Sequence, residues 1–339
     1  MSASGRDLMV STSAGRPPTA TATGVHDLDT ALAWFGERMP DVRRTLLKEG
    51  CLLVRGLPIR SVADFARVRD LVVTRPASYK EKATPRTAYG EEVYSSTDFP
   101  AAQEIRPHNE NSYTLKFPGI LLFTCIDAPD EGGATTVVDV RKVLADLPAE
   151  VRERFTRTGW LLVRNYHDRI GLPWPTSFGT DDPATVDRYC AEQKIATVWK
   201  EGGRLRTEQL RSAVIVHPVT EEQVWFNHVA FWNEWSLPPR MRDFLRKSFG
   251  PDGLPFNTFY GDGSRLDQDE AEAIRHAYQA NLMREDWRPG DVLLVDNILC
   301  AHGREPYKGE RKVLVAMGDA VSLGDCRPPI PPAAHRPVA

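Results

Sequence analysis

Short apolar runs bounded by glycine, proline or polar turns recur along the chain and predict β-strands. These runs occupy residues 51–59, 119–129, 132–140, 160–167, 213–220, 223–232, 291–297 and 311–321. Apolar residues at helical spacing predict helices over residues 27–50, 61–73, 143–155, 238–249 and 267–285. Pro40 predicts a break that divides the first of these into two helices. Many short strands with interspersed helices favour a mainly β fold, a sandwich or jelly roll with flanking helices.

The remaining stretches predict tails and long loops. Residues 1–26 are rich in Ser, Thr, Ala, Gly and Pro and predict a flexible N-terminal tail. Residues 323–339 predict a proline-rich, extended C-terminal tail. Residues 27–322 are expected to form a single domain, interrupted by the aperiodic loop 75–105 and by the loop segment 171–212, of which 171–192 is predicted to be loop and short helix.

Composition narrows the class of protein. Lys and Arg number 43 against 46 Asp and Glu, so the formal charge is −3 and predicts no general attraction to nucleic acid. No stretch of about 18 apolar residues occurs, which predicts that no helix crosses a membrane. The N-terminus lacks the apolar core of a signal peptide, which predicts a cytoplasmic protein. The five cysteines form no CxxC pattern and are expected to be reduced and structural.

His108 and Glu110 are the first candidates for chemistry. On a strand, residues two apart project from the same face, so the imidazole and the carboxylate would converge. His302, just after the apolar run 291–297, is the best third ligand. Two histidines and one carboxylate form the facial triad of non-haem Fe(II) oxygenases. The helical HExxH pattern of zinc hydrolases is absent from the sequence.

Two further residues suit an anionic co-substrate. Arg311 begins an apolar strand nine residues after His302, and a guanidinium binds carboxylates through two parallel hydrogen bonds. Thr135 places a hydroxyl group after the glycine pair 132–133. A buried arginine without such a ligand would be a costly unpaired charge.

These motifs together resemble the TauD/TfdA family of Fe(II)/2-oxoglutarate-dependent dioxygenases over roughly residues 50–320. The motifs are HNE at 108–110, GGAT at 132–135, VWFNHVAFW at 224–232 and DNILCAHGREPYKGERKVLVAM at 296–317. Within the family, the sequence is similar to the amino-acid hydroxylases of natural-product pathways represented by the syringomycin aspartyl hydroxylase. The resemblance implies a double-stranded β-helix, that is, a cupin-like jelly roll, with Fe(II) as cofactor and 2-oxoglutarate and O₂ as co-substrates.

The resemblance also implies roles for individual residues. His108, Glu110 and His302 would bind iron, while Thr135 and Arg311 would hold the distal carboxylate of 2-oxoglutarate. The short loop after His302 leaves Arg304 and Lys312 as alternatives to Arg311, although strand alternation favours Arg311. Asn227, Arg106 and Asn111 are candidate substrate contacts. Glu110 argues against halogenation, because halogenating relatives leave the carboxylate position open for chloride.

The implied reaction is hydroxylation of an unactivated C–H bond of a small molecule, an amino acid or a derivative that is free or tethered to a carrier protein. Desaturation or cyclisation with the same cofactors is an alternative, and a non-catalytic cupin-like binding protein is another. The loops 75–105 and 171–212 are the expected lid, with 75–105 mobile until substrate binds.

Overall fold

A computed structural model describes residues 7–75, 87–90, 92–96, 99–167 and 170–335. The helices are α1 (Leu28–Glu49), α2 (Val62–Val72), α3 (Val140–Asp146), α4 (Ala149–Thr158), α5 (Trp174–Phe178), α6 (Pro183–Glu192), α7 (Val229–Trp232), α8 (Pro239–Phe249) and α9 (Gln268–Ala280). The strands in the first half of the chain are β1 (Val10–Ser13), β2 (Arg16–Thr21), β3 (Cys51–Arg55), β4 (Ala88–Gly90), β5 (Val93–Ser95), β6 (Ile105–His108), β7 (Lys116–Phe117), β8 (Ile120–Asp127), β9 (Glu131–Gly132), β10 (Thr135–Asp139) and β11 (Trp160–Asn165). Those in the second half are β12 (Ala196–Lys200), β13 (Arg204–Arg211), β14 (Val214–Val216), β15 (Gln223–Trp225), β16 (Phe256–Tyr260), β17 (Leu282–Met283), β18 (Val292–Asp296), β19 (Cys300–Arg304), β20 (Tyr307–Lys308), β21 (Lys312–Gly318) and β22 (Val321–Ser322).

Two sheets form the jelly roll. The larger sheet has the strand order β1-β2-β3-β18-β8-β21-β5-β4, and the smaller has the order β17-β10-β19-β6. A third sheet, β12-β13-β11-β16, lies beside them. Helices α1 and α2 pack their apolar faces on the larger sheet. The predicted mainly β, double-stranded β-helix class with flanking helices is confirmed.

The space between the two sheets holds the core that supports the site. Phe123 and Cys125 of β8 pack with Val137 of β10 and Cys300 of β19. All four side chains are buried. The sheet faces that enclose this space are therefore apolar, and a polar cluster between them is shielded from water.

Helix α1 is a single helix, so the predicted break at Pro40 is wrong. Proline removes the N–H that would bond to the carbonyl four residues earlier, here that of Gly36. Both Pro40 and Gly36 are exposed, so water satisfies the released carbonyl. A capping box at Asp27 and the buried face of Phe35 and Val42 stabilise the helix despite the proline.

The predicted tails are partly ordered. Within the N-terminal tail predicted for 1–26, β1 and β2 form a hairpin, and β2 pairs in parallel with β3. Ala20 is buried against the sheet, which explains how this small-residue segment becomes fixed. Within the C-terminal tail predicted for 323–339, Leu323 and Cys326 are buried, and Ala333 pairs with Leu210. The tail prediction is wrong for these segments.

The two predicted loops also contain regular structure. In 75–105, strands β4 and β5 extend the larger sheet through pairing with β21. Fourteen of the 31 residues in this segment, 76–86, 91 and 97–98, lie outside the described residues, and the mobility predicted for 75–105 stays a prediction. In 171–212, helices α5 and α6 lie within 171–192, where loop and short helix were predicted, whereas strands β12 and β13 occupy much of the predicted loop beyond it. The run 223–232 is a strand only to Trp225 and then becomes helix α7, so that strand was predicted too long.

The five cysteines are free and buried, as the sequence predicted. Among the described residues, no helix combines the length and the apolar character needed to cross a membrane.

Candidate metal centre and active-site cavity

Antiparallel strands β6 and β19 bring the two histidines together. His108 is the register partner of His302 in this pair, so the side chains lie side by side on one sheet face. Their ring centroids are 4.6 Å apart. Phe231 stacks on His108 at 4.6 Å, and Phe123 lies 5.1 Å from His302. The imidazoles are therefore held between aromatic side chains in an apolar setting.

Glu110 reaches the same point from a turn rather than from a strand. Strand β6 ends at His108, so the predicted i, i+2 strand geometry does not extend to Glu110. Its backbone N–H donates to Asn297 Oδ1 at 2.7 Å, and its carbonyl accepts from Asn297 Nδ2 at 3.0 Å. Asn111 follows with a φ of 54°, the left-handed conformation that turns the chain. The turn aims the carboxylate at the two histidines.

The three side chains form a buried donor set. Their ligand atoms all lie within 4.8 Å of one another. Glu110 Oε2 is 3.6 Å from His302 Nε2 and 4.0 Å from His108 Nε2. His108 Nδ1 lies 2.9 Å from the Arg106 carbonyl, which only accepts, so Nδ1 carries the proton and Nε2 presents its lone pair for a metal. Two imidazole nitrogens and one carboxylate with open space beside them fit Fe(II).

Arg311 is a half-buried cation surrounded by neutral groups. It donates to the Gly133 carbonyl at 2.8 Å, to Ser96 Oγ at 2.9 Å and to Thr135 Oγ1 at 3.4 Å. Among the described residues it forms no ion pair with a carboxylate. Burial, followed by repulsion from Arg304, lowers the pKa of Arg311 to about 10. This environment favours an anionic ligand that would satisfy the guanidinium.

Glycine at position 133 makes this arrangement possible. Its φ is 70°, and a Cβ atom there would lie 3.1 Å from Arg311 Cδ and 2.9 Å from Tyr307 Cβ. A larger residue would therefore strain the turn and displace the guanidinium.

Thr135 and Arg311 line a small cavity of about 20 Å³ together with His108, His302 and Ser96. The pairing of Thr135 with Arg311 and the histidines was predicted from the sequence, whereas Ser96 was missed. Arg304, an alternative to Arg311, donates instead to the carbonyls of residues 99, 100 and 103. Lys312, the other alternative, is exposed. The geometry therefore favours Arg311.

A second and larger cavity, of about 680 Å³, has His108 and Glu110 in its lining. We call it the substrate cavity. Its apolar lining includes Phe99, Tyr113, Phe231, Trp232, Met241 and Phe256. Arg106 and Asn111, both predicted as substrate contacts, also line it. Volumes of about 300–1,000 Å³ are typical of small-molecule sites.

His228 lies in the wall of this cavity as a neutral imidazole. Burial, with a smaller contribution from His108, lowers its pKa well below the usual value. Its Nδ1 is 2.6 Å from Ser112 Oγ, and its ring packs at 4.2 Å on Trp232. His228 therefore contributes a polar atom to a mostly aromatic wall.

The structure does not place Asn227 in the substrate cavity. Its Nδ2 donates to the Ala213 carbonyl at 3.1 Å, and its Oδ1 accepts the Val229 N–H at 3.0 Å. The side chain is buried and its amide bonds to backbone at both ends, so the predicted substrate contact is wrong. Asn297 was missed as a positioning residue, although the Asp-Asn pair ahead of His302 was a visible signal.

A jelly roll that carries two histidines, a carboxylate and an adjacent buried arginine defines the class of non-haem Fe(II) oxygenases. The chain belongs to the family described as taurine catabolism dioxygenase TauD, TfdA family, which matches residues 14–317. It is a 2-oxoglutarate-dependent dioxygenase whose cofactor is Fe(II) and whose co-substrates are 2-oxoglutarate and O₂.

Two relatives match most of the chain. The dapdiamide synthesis protein DdaC of Enterobacter agglomerans is 35% identical over 293 residues, which cover 86% of this chain and 89% of DdaC. A clavaminate synthase-like protein of Arabidopsis thaliana is 28% identical over 283 residues, which cover 80% of this chain and 82% of that protein.

Solved structures share the fold at low sequence identity. A taurine dioxygenase from Burkholderia xenovorans superposes with a TM-score of 0.54 at 14% identity and covers 97% of this chain and 95% of that one. PvcB from Pseudomonas aeruginosa gives a TM-score of 0.52 at 15% identity and covers 90% of this chain and 86% of its own.

Proposed function

We propose that this enzyme hydroxylates an unactivated C–H bond of a small molecule, an amino acid or amino-acid derivative, in natural-product biosynthesis. The observation that carries the proposal is the convergence of His108, Glu110 and His302 between two cavities. One cavity is small and cationic, and the other is large and mostly apolar. This separation suits a co-substrate and a substrate that meet at one metal.

His108, Glu110 and His302 hold the iron in this proposal. When bound, Fe(II) and 2-oxoglutarate supply the oxidising chemistry, in which 2-oxoglutarate and O₂ yield succinate, CO₂ and one oxygen atom for the substrate. The protein supplies geometry: the turn at Glu110 and the β6–β19 pair fix the ligands before the metal arrives. Phe123 and Phe231 keep water from the ligand side chains.

Arg311 and Thr135 bind the distal carboxylate of 2-oxoglutarate. The two side chains line the same cavity as His108 and His302, and Arg311 has no carboxylate partner among the described residues. Ser96 already accepts a hydrogen bond from Arg311 and would orient the guanidinium.

Arg106 and Asn111 contact the substrate on the opposite side of the metal. Both line the substrate cavity, and the aromatic wall around them excludes water from the reacting carbon. Support for a biosynthetic role comes from the 35% identity to a relative named as a dapdiamide synthesis protein.

Mass spectrometry of candidate substrates tests the proposal. A panel of amino acids, free, acylated and attached to a carrier protein, is incubated with the enzyme, Fe(II), 2-oxoglutarate and air. Hydroxylation adds one oxygen atom and releases one succinate, whereas desaturation or cyclisation removes two hydrogens. An anaerobic reaction and the His302→Ala variant are the controls. Failure to form succinate with or without substrate would overturn the proposal.

A further inference from the structure

A third cavity, of about 220 Å³, adjoins the substrate cavity. The two share the lining residues Arg106, Ser236 and Leu237, so they meet along these three residues. Three arginines from different elements line this space: Arg106 of β6, Arg242 of α8 and Arg275 of α9. We call it the arginine cavity.

The three guanidinium groups have little compensating charge. Within the described part of the chain, the Arg106 guanidinium forms no hydrogen bond or ion pair. Arg275 contacts the neutral acceptor Gln279 Oε1 at 2.9 Å. Arg242 stacks on the Trp235 ring at 4.2 Å, and its Nε is 3.8 Å from Asp243 Oδ1. All three side chains are half-buried, so solvent screens them only in part.

The other polar groups around the cavity are already bonded within the protein. Glu272, the carboxylate in the lining, accepts from Gln268 at 2.8 Å. Asn233 donates to the Thr258 carbonyl, and Trp235 Nε1 donates to the Leu266 carbonyl. The groups left to bind a ligand are therefore guanidinium donors, and cations outnumber anions by three to one among the lining residues.

Three guanidinium groups that line one cavity with a single carboxylate, Glu272, favour an anionic ligand. The planar guanidinium fork suits carboxylate and phosphate oxygens in particular.

We infer that the arginine cavity binds an oxyanion, a carboxylate or a phosphate, that is part of the substrate and remote from the carbon that reacts. The inference rests on the proposed function, because it extends the substrate from the metal past Arg106 to Arg275. The substrate class is then an elongated, anionic amino-acid derivative rather than a small neutral molecule. A remote oxyanion of this kind would fix the orientation of the substrate over the metal.

Binding of two matched fluorescent probes tests the inference without turnover. Anilinonaphthalenesulfonate carries an oxyanion on an aromatic body, and N-phenylnaphthylamine has the same ring system without the charge. Both are titrated into the full-length protein with Fe(II) and 2-oxoglutarate under anaerobic conditions. Arg275→Gln and Arg242→Gln should each weaken sulfonate binding by about 10- to 100-fold, the range for a charge-assisted hydrogen bond. Binding of the neutral probe should not change, which shows that the cavities are intact.

Arg240→Gln and Lys247→Gln are the matched controls, because both remove one exposed cation of α8 that does not line the arginine cavity. Equal weakening by these controls would show that the sulfonate responds to surface charge, and the inference would fall. Unchanged sulfonate affinity in Arg275→Gln and Arg242→Gln would also overturn it. Succinate formation is measured in parallel, so that loss of the proposed oxygenase function is recognised separately from loss of the anion site.

Discussion

Asn297 bonds to both backbone groups of Glu110. Its side-chain oxygen accepts the Glu110 N–H at 2.7 Å, and its side-chain nitrogen donates to the Glu110 carbonyl at 3.0 Å. The same nitrogen also donates to the Pro118 carbonyl at 2.8 Å, and the residue is fully buried. Because Glu110 lies beyond the end of β6, this clamp fixes the position of its carboxylate relative to the two histidines.

Replacing Asn297 should therefore weaken metal binding without removing a ligand. We expect Asn297→Ala to raise the Kd for Fe(II) by about 10- to 100-fold, the usual effect of losing a group that orients a metal ligand. Anaerobic titration with Fe(II), or with Co(II) as a spectroscopic substitute, measures the change. The thermal midpoint should fall as well, because buried backbone groups of Glu110 and Pro118 lose their partner.

Asn165→Ala separates the two effects. Asn165 is also buried and donates to the carbonyls of Asp252 and Leu254 at 2.9 and 2.8 Å, far along the chain from the metal ligands. This variant should lose thermal stability and keep its metal affinity. Wild-type metal affinity in Asn297→Ala would show that the clamp does not control the position of Glu110.

The convergence of His108, Glu110 and His302 was predictable from the sequence. The predicted strand position of Glu110 was wrong, because Glu110 lies in a turn after β6. Spacing and residue type indicated a metal triad, and the side chains do meet. The strand geometry assumed for Glu110 stops at His108, and a residue 187 positions further along the chain performs the alignment. Sequence patterns report local periodicity, so they carry no information about such a long-range hydrogen bond.

Strands made of polar residues were the main failure of the fold prediction. Strand β13 has the sequence RLRTEQLR and was assigned to a loop. Its buried Glu208 is held by Arg206 at 2.7 Å and by His335 at 3.1 Å, so charge pairing replaces the hydrophobic alternation. In the N-terminal hairpin, backbone pairing of β2 with β3 fixes small residues that have no apolar signature. His335, which contacts β13, and strand β3, which pairs with β2, both lie far along the chain from the strands that they hold.

Arg311 provides a direct test of the co-substrate site. Arg311→Leu should raise the 2-oxoglutarate KM by about 30- to several-thousand-fold, since losing one partner of a buried charge pair costs about 2–5 kcal/mol. Arg304→Leu and Lys312→Leu are the matched controls, because Arg304 bonds to backbone carbonyls and Lys312 is exposed. A larger rise of the 2-oxoglutarate KM in either control than in Arg311→Leu would show that Arg311 is not the residue that binds the carboxylate.

The lowered pKa of Arg311 predicts how 2-oxoglutarate stabilises the protein. A cation whose pKa is lowered on folding, here to about 10, destabilises the fold at every pH below that value. The penalty is therefore fully present at neutral pH, and a bound carboxylate relieves it. Addition of 2-oxoglutarate should therefore raise the wild-type Tm near neutral pH. An equal increment in Arg311→Leu would contradict this account.

The cysteines should be chemically inert in the native protein. Burial raises the pKa of the Cys125 and Cys326 thiols to about 12, and a hydrogen bond with Cys51 together with burial raises that of Cys300. The reactive thiolate is therefore scarce near pH 8. A disulfide-exchange reagent should label no thiol before unfolding and all five after unfolding in guanidinium. Rapid labelling of the folded protein would show that one of these thiols is accessible.

The metal ligands themselves define the strictest test. His302→Ala or His108→Ala should abolish Fe(II) binding and succinate formation, because each removes one of three donors from a buried set that the fold assembles in advance. Glu110→Gly should keep part of the iron affinity through the two imidazoles and lose substrate hydroxylation.

His167→Gln is the matched control, since the His167 ring bonds to the Gly253 carbonyl at 2.8 Å and lies outside the cluster. Metal content by atomic absorption and succinate by mass spectrometry, with circular dichroism to verify the fold, separate these outcomes. A folded His302→Ala protein that forms succinate at the wild-type rate would show that the triad is not the catalytic centre.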